Sequence, residues 1–171
     1  MFNLSKLVVA WDLDGTIIDS SNRIRFDQNG VFDLDYWRET SNDFEMVSQD
    51  KLLPLIEVYR SFKKAGYTQI CVTARLMGEN DFKYLEENNI SFDMILHRGD
   101  SLELDYILKS KRLKDYFKLS GRIPFMAFDD KEDNLRIFDK FGFRTFQANY
   151  MNEKMKKNSL SEVVFNPSDF N

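Results

Sequence analysis

Two pairs of aspartates stand directly after short apolar segments of the chain. Asp12 and Asp14 follow one such segment, and Asp129 and Asp130 follow another. If the two segments are neighbouring parallel strands, their carboxyl ends meet at one edge of a sheet, which is where open α/β sheets bind ligands. Four carboxylates in a small volume repel one another unless a cation neutralises them or they share protons. Because all of these donors are oxygens, the pattern favours Mg²⁺, which could also bridge to phosphate oxygens.

The residues after the first pair add to this chemistry. Gly15 allows a tight turn and Thr16 supplies a hydroxyl group. A single aspartate after a buried strand is often only a turn former or a helix cap. The combination of Asp12-Leu13-Asp14-Gly15-Thr16 with a second acidic pair argues against that simpler interpretation.

Three further residues could contact a phosphate group. Thr73 and Arg75 follow a third apolar segment, where a hydroxyl could donate to a phosphate oxygen and a guanidinium could form a forked pair with it. Thr73 taken alone would also suit a helix cap. Lys109 lies one or two turns into a predicted helix, where lysines are usually solvated, and Lys111 and Lys114 are close competitors.

The elements that would position these residues follow from the alternation of apolar runs with helical periods. This alternation is typical of an α/β fold with a mostly parallel sheet. Predicted strands lie at 7–11, 70–72, 94–96 and 125–128, with a weaker candidate at 143–146. Predicted helices lie at 52–62, closed by Gly66, around 82–85, from 104 onward, and at 135–141, closed by Gly142.

One segment interrupts the alternation. Asn29-Gly30 stands between two stretches of alternating residues, so we expect a β-hairpin over about residues 22–35. Residues 36–51 form a polar connector that is too short for a separate domain. We therefore expect one domain over residues 1–150, followed by a basic tail at 151–171 that has no assigned structure.

Composition excludes several other classes of protein. A chain of 171 residues with 43% hydrophobic residues fits one domain with its own core. One histidine, His97, and one cysteine, Cys71, cannot build a zinc site or an internal disulfide. A net charge of −4 argues against a broad nucleic-acid-binding surface. The apolar runs are too short for a membrane span and no signal peptide is visible, so a cytoplasmic location is expected. Nothing in the sequence indicates an oligomeric state.

The chain resembles the haloacid dehalogenase-like hydrolase superfamily over about residues 5–148. The first motif of that superfamily is similar to Asp12–Thr16, and its fourth is similar to Asp129-Asp130. Its second motif, a Ser or Thr that ends a strand, matches Thr73, and its motif lysine is best matched by Lys109.

A closer resemblance is to the phosphatase domain of phage polynucleotide kinase-phosphatase enzymes. Thr73-Ala74-Arg75 is similar to the Ser-Gly-Arg of that group, and Arg98, Asp105 and Lys109 follow one another as its Arg…Asp…Lys segment does. The chain has no Gly-x-x-x-x-Gly-Lys-Ser/Thr loop, so no kinase half is expected.

The resemblance implies a fold and a set of roles. The fold is a three-layer, Rossmann-like one with a parallel sheet ordered 5-4-1-2-3, a hairpin flap and no large cap domain. Asp12 would be the nucleophile, Asp14 the acid and base, and Thr73 and Lys109 the phosphate cradle. Gly15, Thr16, Ala74, Arg75 and Arg98 would bind substrate. Mg²⁺ would be held by Asp12, the Asp14 backbone carbonyl and one of Asp129 or Asp130, with Asp130 favoured.

The resemblance also implies a phosphomonoesterase. Its expected substrates are phosphorylated nucleotides or nucleic-acid ends, with polynucleotide 3′-phosphates placed first. A small-molecule phosphatase such as a 5′-nucleotidase is the alternative. A catalytically silent phosphate-binding module is a third hypothesis, which the complete set of motif residues disfavours.

Overall fold

The computed structural model describes residues 3–31 and 33–158. Strands and helices alternate along these ranges, as the sequence predicts. The strands are β1 (Leu7–Trp11), β2 (Ile18–Asp19), β3 (Lys51–Leu52), β4 (Thr68–Val72), β5 (Met94–Leu96), β6 (Ile123–Asp129) and β7 (Arg144–Gln147). The helices are α1 (Leu34–Thr40), α2 (Phe44–Ser48), α3 (Ile56–Ala65), α4 (Glu79–Glu87), α5 (Asp105–Ser120), α6 (Glu132–Lys140) and α7 (Ala148–Lys157).

Five of the strands form one parallel sheet in the order β5-β4-β1-β6-β7. Numbered among themselves in chain order and counted from the β7 edge, they stand in the order 5-4-1-2-3, which the family resemblance implies. The central strand β1 pairs with β4 on one side and β6 on the other. The predicted α/β class, with a parallel sheet between helices, is confirmed, and the described residues form no large cap.

The central strand is buried on both faces because its sequence is apolar without interruption. Residues 8–11 are completely buried, as expected for a strand of a sheet covered on both sides. Trp11 stacks on Phe128 of β6 with the ring centroids 4.2 Å apart, and its Nε1 donates a hydrogen bond to Gln69 of β4. This side chain therefore joins three neighbouring strands just before the chain reaches Asp12.

Two helical layers cover the sheet. On one face, Trp11 packs in a cluster with residues of α3, α4 and α7, among them Tyr59, Leu85 and Met155. On the other face, residues of α5 and α6 pack in a second cluster with the alternate side chains of β1. Side chains along a strand point to opposite faces in turn, so one apolar run contributes to both cores.

The ends of α3 show where the helix prediction was right and where it was wrong. The helix ends at Gly66, whose φ of 87° is left-handed, as predicted from a glycine at that position. It begins only at Ile56, whereas the prediction began at Leu52. Leu52 belongs to β3, which pairs antiparallel with β2, so Pro54 stands before the helix and not in its first turn.

The predicted β-hairpin at residues 22–35 forms only in part. The chain turns at Asn29–Gly30, and the amide of Asp27 donates to the Val31 carbonyl. Within the described residues of this segment, no strand longer than one residue is present. Phe26 and Val31 are 60% and 61% exposed, so the alternating pattern has no core to face, and isolated hairpins are marginally stable. Phe32 lies outside the described residues.

The connector at 36–51 contains two short helices, α1 and α2, before the chain enters β3. Each is capped by an aspartate: the Asp33 side chain accepts from the Tyr36 amide, and the Asp43 side chain accepts from the Met46 amide. Aspartate is among the preferred residues at helix N-caps. The segment between β2 and β3 is therefore a small helical insertion over the sheet edge.

The predicted domain boundary at residue 150 falls inside α7, which is part of the fold. Its residues Ala148, Asn152 and Met155 are buried. The Asn152 side chain accepts from the Leu55 amide and donates to the Thr16 carbonyl, both at 2.9 Å. The predicted tail lacks an obvious helix pattern because its buried face is narrow and partly polar. Residues 159–171 lie outside the described range.

No helix in the described ranges is both long enough and apolar enough to cross a membrane.

Replacing Asn152 by Ala should destabilise the fold by about 1–3 kcal/mol, because it leaves a buried amide and a buried carbonyl without partners. Chemical denaturation measures the change. Glu153→Ala on the exposed side of the same helix is the control, with an expected change within about 0.5 kcal/mol. Equal effects of the two substitutions would contradict the role given to Asn152.

Candidate active site

The carboxyl ends of β1 and β6 bring the two aspartate pairs together. Asp12 directly follows β1, and its amide donates to the Phe128 carbonyl at 3.0 Å, so the strand ladder extends to it. Asp129 is the last residue of β6, and Asp130 comes next. Asp12, Asp129 and Asp130 each offer a carboxylate oxygen, and these three atoms lie within 4.8 Å of one another.

Lys109 is the lysine that enters this cluster. Its Nζ donates to Asp12 Oδ1 at 2.8 Å and to Asp129 Oδ2 at 2.6 Å. The side chain is 1% exposed, whereas Lys111 and Lys114 are exposed. Lys109, the lysine favoured by the sequence analysis, is therefore the one that the structure places in the site. Its two carboxylate partners keep the pKa of Lys109 above the ordinary value despite the cost of burial.

The carboxylate cluster is still short of positive charge. Burial raises the pKa of Asp12 to about 8; Lys109 acts in the opposite direction, and the neighbouring carboxylates add to the increase. Burial and Asp129 likewise raise the pKa of Asp130 to about 6. A further cation would stabilise the ionised forms of both side chains.

The two members of the second pair have different surroundings. Asp129 is completely buried, and its Oδ1 accepts from the Lys131 amide and the Asn134 side chain while Lys109 holds Oδ2. Asp130 Oδ1 is buried and has no hydrogen-bond partner within residues 3–31 and 33–158. A buried carboxylate oxygen of this kind needs a donor or a cation. Together with the all-oxygen donor set, it fits a hard divalent cation bound by Asp130.

Asp14 is held by a different cation. Arg75 forms a forked ion pair with it, and the Ser20 hydroxyl donates to the same carboxylate. Burial would raise the pKa of Asp14, but the charge and hydrogen bonds of Arg75 outweigh it and lower the value to about 2. The carboxylate of Asp14 is therefore ionised at neutral pH.

Arg75 was predicted to bind substrate, and the structure gives it another task. The guanidinium is buried and also contacts Asp50 at 3.2 Å and Asp81 at 2.8 Å. Arg23, which is 1% exposed, forms a forked pair with Asp50 and reaches Asp81 at 3.3 Å. Its donors are committed to carboxylates and position Asp14, while Arg75 also lines the cavity; its contact with a substrate phosphate stays a prediction.

Arg23, Asp50 and Asp81 are the residues of the site that sequence reasoning missed. They come from the start of the flap, the residue before β3 and the first turn of α4. None stands in an apolar pattern that would indicate burial. A lone Arg in a polar segment gives no signal of the two carboxylates that the fold brings to it.

Two other predicted substrate contacts differ in the structure. Arg98 donates to the carbonyls of Ala74, Ser101 and Glu103 and pairs with Asp105 at 2.6 Å, so it fixes a loop. Thr16 is completely buried and does not line the cavity; its hydroxyl has no partner in the part of the chain that the structure describes. Arg98 nevertheless lines the cavity, whereas Thr16 does not, and a contact of either residue with substrate stays a prediction.

Most of the predicted residues, though not Asp129, line one cavity of about 720 Å³, which opens at the edge of the sheet. Thr73, Ala74 and Gly15 line it together with Asp12, Asp14, Lys109 and Asp130. The Thr73 hydroxyl accepts from the Arg75 amide at 3.1 Å and still has a proton to donate. The cavity thus combines an anionic cluster, a buried ammonium and a hydroxyl.

The fold is that of the haloacid dehalogenase-like hydrolases. A solved hydrolase of that class from Streptococcus pneumoniae superimposes with a TM-score of 0.60 at 15% identity, over 82% of this chain and 83% of the other. A chain of a Pnkp1/Rnl/Hen1 complex superimposes with a TM-score of 0.62 at 21% identity, over 83% of this chain. This chain spans 45% of the length of that Pnkp1/Rnl/Hen1 chain. At identities of 15% and 21%, the two comparisons show a shared fold.

The chain belongs to the bacteriophage T5 5′-deoxynucleotidase family, whose model matches residues 2–165. The 5′-deoxynucleotidase of Escherichia phage T5 is 31% identical to it over 172 residues, which cover 85% of this chain and 68% of the relative. The chain is accordingly a phosphoric monoester hydrolase.

Gly15→Ala should abolish most activity. Gly15 has a φ of 71°, and a Cβ there would lie 2.8 Å from Asp130 Oδ2. Gly66→Ala is the matched control, because Gly66 has a φ of 87° and open space around it. Both substitutions should cost about 1–2 kcal/mol of stability through backbone strain. Only Gly15→Ala should displace Asp130 and lower phosphatase activity; equal activity losses would contradict the contact.

Magnesium should stabilise the protein more at about pH 8 than at about pH 5. The raised pKa values of Asp12 and Asp130 mean that folding stability is lost as pH rises from about 4 toward about 8 without a cation. A bound cation would offset this loss. Thermal unfolding with magnesium and with chelator measures the effect. Asp130→Asn should remove most of the pH difference, and the exposed Asp133→Asn should not; a pH-independent magnesium effect would count against the site.

Proposed function

We propose that the chain is a magnesium-dependent phosphatase that hydrolyses nucleoside 5′-monophosphates through an aspartyl-phosphate on Asp12. The observation that carries the proposal is the pairing of Asp12 with buried Lys109 at the cavity, beside the unpartnered Asp130 oxygen. Lys109 neutralises the nucleophile and would attract the phosphate. Family membership supports the substrate, since the relative is named a 5′-deoxynucleotidase.

In the first step a carboxylate oxygen of Asp12 attacks phosphorus, and the bond from phosphorus to the ester oxygen breaks. Asp14 gives its proton to that leaving oxygen. In the second step Asp14 takes a proton from water, which attacks the phosphorus of the aspartyl-phosphate. Inorganic phosphate leaves and the Asp12 carboxylate is restored.

Asp12 and Asp130 would hold the cation with their side chains, and Asp14 with its backbone carbonyl. A bound Mg²⁺ would neutralise charge on the transferring phosphoryl group. Lys109 and the Thr73 hydroxyl would donate to the phosphate oxygens from the protein side. Asp129 would support the site through Lys109 and Asn134.

The low pKa of Asp14 matches the second step, in which it acts as a base. The first step requires a proton on Asp14. An anionic phosphate placed beside this carboxylate raises its pKa, because like charges disfavour ionisation. Arg75 keeps Asp14 ionised when no substrate is bound, and the substrate phosphate would raise the pKa of Asp14 again.

The charges around the cavity support a substrate with one phosphate. Carboxylates outnumber cations among the lining residues: Asp12, Asp14, Asp19, Asp100, Glu103, Asp105 and Asp130 against Arg38, Arg75, Arg98, Lys109 and Lys131. All five of those cations pair with carboxylates, from Lys131 with Asp105 at 2.6 Å to the exposed Arg38 with Asp35 at 3.9 Å. A polynucleotide needs cations along its neighbouring phosphates. This lining offers few, so a mononucleotide fits better.

Phosphorylated 3′ ends of polynucleotides are the second candidate. The fold likeness to a Pnkp1/Rnl/Hen1 RNA repair complex favours it, as does the absence of a large cap in the described part of the chain.

The expected cytoplasmic location stays a prediction.

Asp12→Asn should lower turnover of a deoxynucleoside 5′-monophosphate by more than about a thousandfold. Phosphate release is measured with magnesium and with chelator, on 5′- and 3′-monophosphates and on an oligonucleotide with a 3′-phosphate. Asp133→Asn, an exposed change, serves as the control. We expect magnesium-dependent hydrolysis, fastest with the 5′-monophosphate.

Retention of activity by Asp12→Asn would refute the nucleophile. Faster hydrolysis of the oligonucleotide than of the 5′-monophosphate would transfer the assignment to the second candidate. Absence of hydrolysis with every substrate and metal would leave a phosphate-binding module.

A further inference from the structure

The cavity carries apolar side chains that the phosphate chemistry does not need. Ile24, Leu102 and Leu104 line it and are 50%, 80% and 62% exposed. Trp37, which is partly buried, lines the same cavity. Exposed apolar side chains that gather at one opening mark a binding surface more often than isolated ones do.

The two leucines are held in place by the loop that carries them. Arg98 donates to the carbonyls of Ser101 and Glu103, the residues on either side of Leu102, and pairs with Asp105 after Leu104. The loop backbone is thus fixed at three points. The exposure of Leu102 and Leu104 is a property of an ordered loop, which keeps both side chains at the cavity.

Trp37 reaches the cavity from a different part of the chain. It lies on α1, whose first turn is capped by the Asp33 side chain, and its own amide donates to the Asp33 carbonyl at 3.1 Å. Ile24 belongs to the flap just after the buried Arg23. One indole and one branched side chain therefore join the two leucines from the insertion between β2 and β3.

We propose that Trp37, with Ile24, Leu102 and Leu104, forms the subsite that holds the nucleobase of the substrate. This inference rests on the proposed function for the phosphate end of the same cavity. A nucleobase has two flat faces that stack on aromatic rings and pack against apolar side chains. The cavity volume of about 720 Å³ accommodates a ligand the size of a mononucleotide beyond the phosphate cradle.

The kinetic test compares two substrates that share the phosphate and the sugar. One is 2′-deoxyadenosine 5′-monophosphate, and the other is 2-deoxyribose 5-phosphate, which has no base. The readout is the ratio of their kcat/KM values. Trp37→Ala and the double variant Leu102→Ser with Leu104→Ser should each lower this ratio about tenfold, mostly through the KM of the nucleotide.

The matched control is Leu119→Ser, since Leu119 is 85% exposed and does not line the cavity. It should leave the ratio at the wild-type value. A ratio that is unchanged in the cavity variants would overturn the subsite. An unchanged ratio that results from an equal fall in kcat/KM for both substrates would mean that Trp37 only supports the fold.

A binding test separates failure of the subsite from failure of the proposed function. The protein has two tryptophans, and Trp11 is completely buried against Phe128, so a ligand at the cavity meets Trp37. In the Asp12→Asn variant, 2′-deoxyadenosine 5′-monophosphate should quench tryptophan emission and 2-deoxyribose 5-phosphate should not. Quenching in the Asp12→Asn variant combined with no turnover by the wild type would support the subsite and reject the phosphatase. Turnover by the wild type combined with no quenching in the variant would support the phosphatase and reject the subsite.

Discussion

Carboxylates gathered at one edge of a buried sheet need positive charge, and the rest of the structure is arranged around this need. Lys109 crosses from α5 to reach Asp12 and Asp129, and Arg75 leaves the end of β4 to reach Asp14. Removing one partner of a buried ion pair leaves an uncompensated charge that is strongly destabilising. The two cations therefore stabilise the fold and fix the catalytic geometry with the same contacts.

The network behind Arg75 ties the site to the insertion above it. Arg75 and Arg23 share Asp50 and Asp81 as partners. Asp50 immediately precedes β3, and Arg23 lies at the root of the flap. The position of Asp14 consequently depends on elements that do not touch the phosphate. The insertion between β2 and β3 thus contacts the site through buried ion pairs.

The sequence predicted the sheet well because four apolar runs without polar breaks leave few alternatives; the fifth strand, interrupted by Arg144 and Thr145, was the weaker prediction. Leu7–Trp11 and Met94–Leu96 match strands residue for residue. The strand-end aspartates came together as expected because parallel strands share a carboxyl edge. The carboxylate partners of Arg75 and Arg98 were not foreseen, for a physical reason. A charged side chain has no periodicity, so its partner is set by the tertiary fold. The contacts of Asn152 could not be predicted either, because its partners are backbone groups far away in the sequence.

The place of β1 in the sheet has a consequence for the emerging chain during synthesis. Its neighbour β4 follows within about sixty residues, but its other neighbour, β6, begins at Ile123, and the Asn152 contact to Thr16 comes later still. Until the ribosome has released those segments, Val8–Trp11 presents an open apolar edge. Open edges of this kind invite pairing with other chains. Asp12, the proposed nucleophile, is thus translated early, but its surroundings are complete only after β6 and α7 have been synthesised.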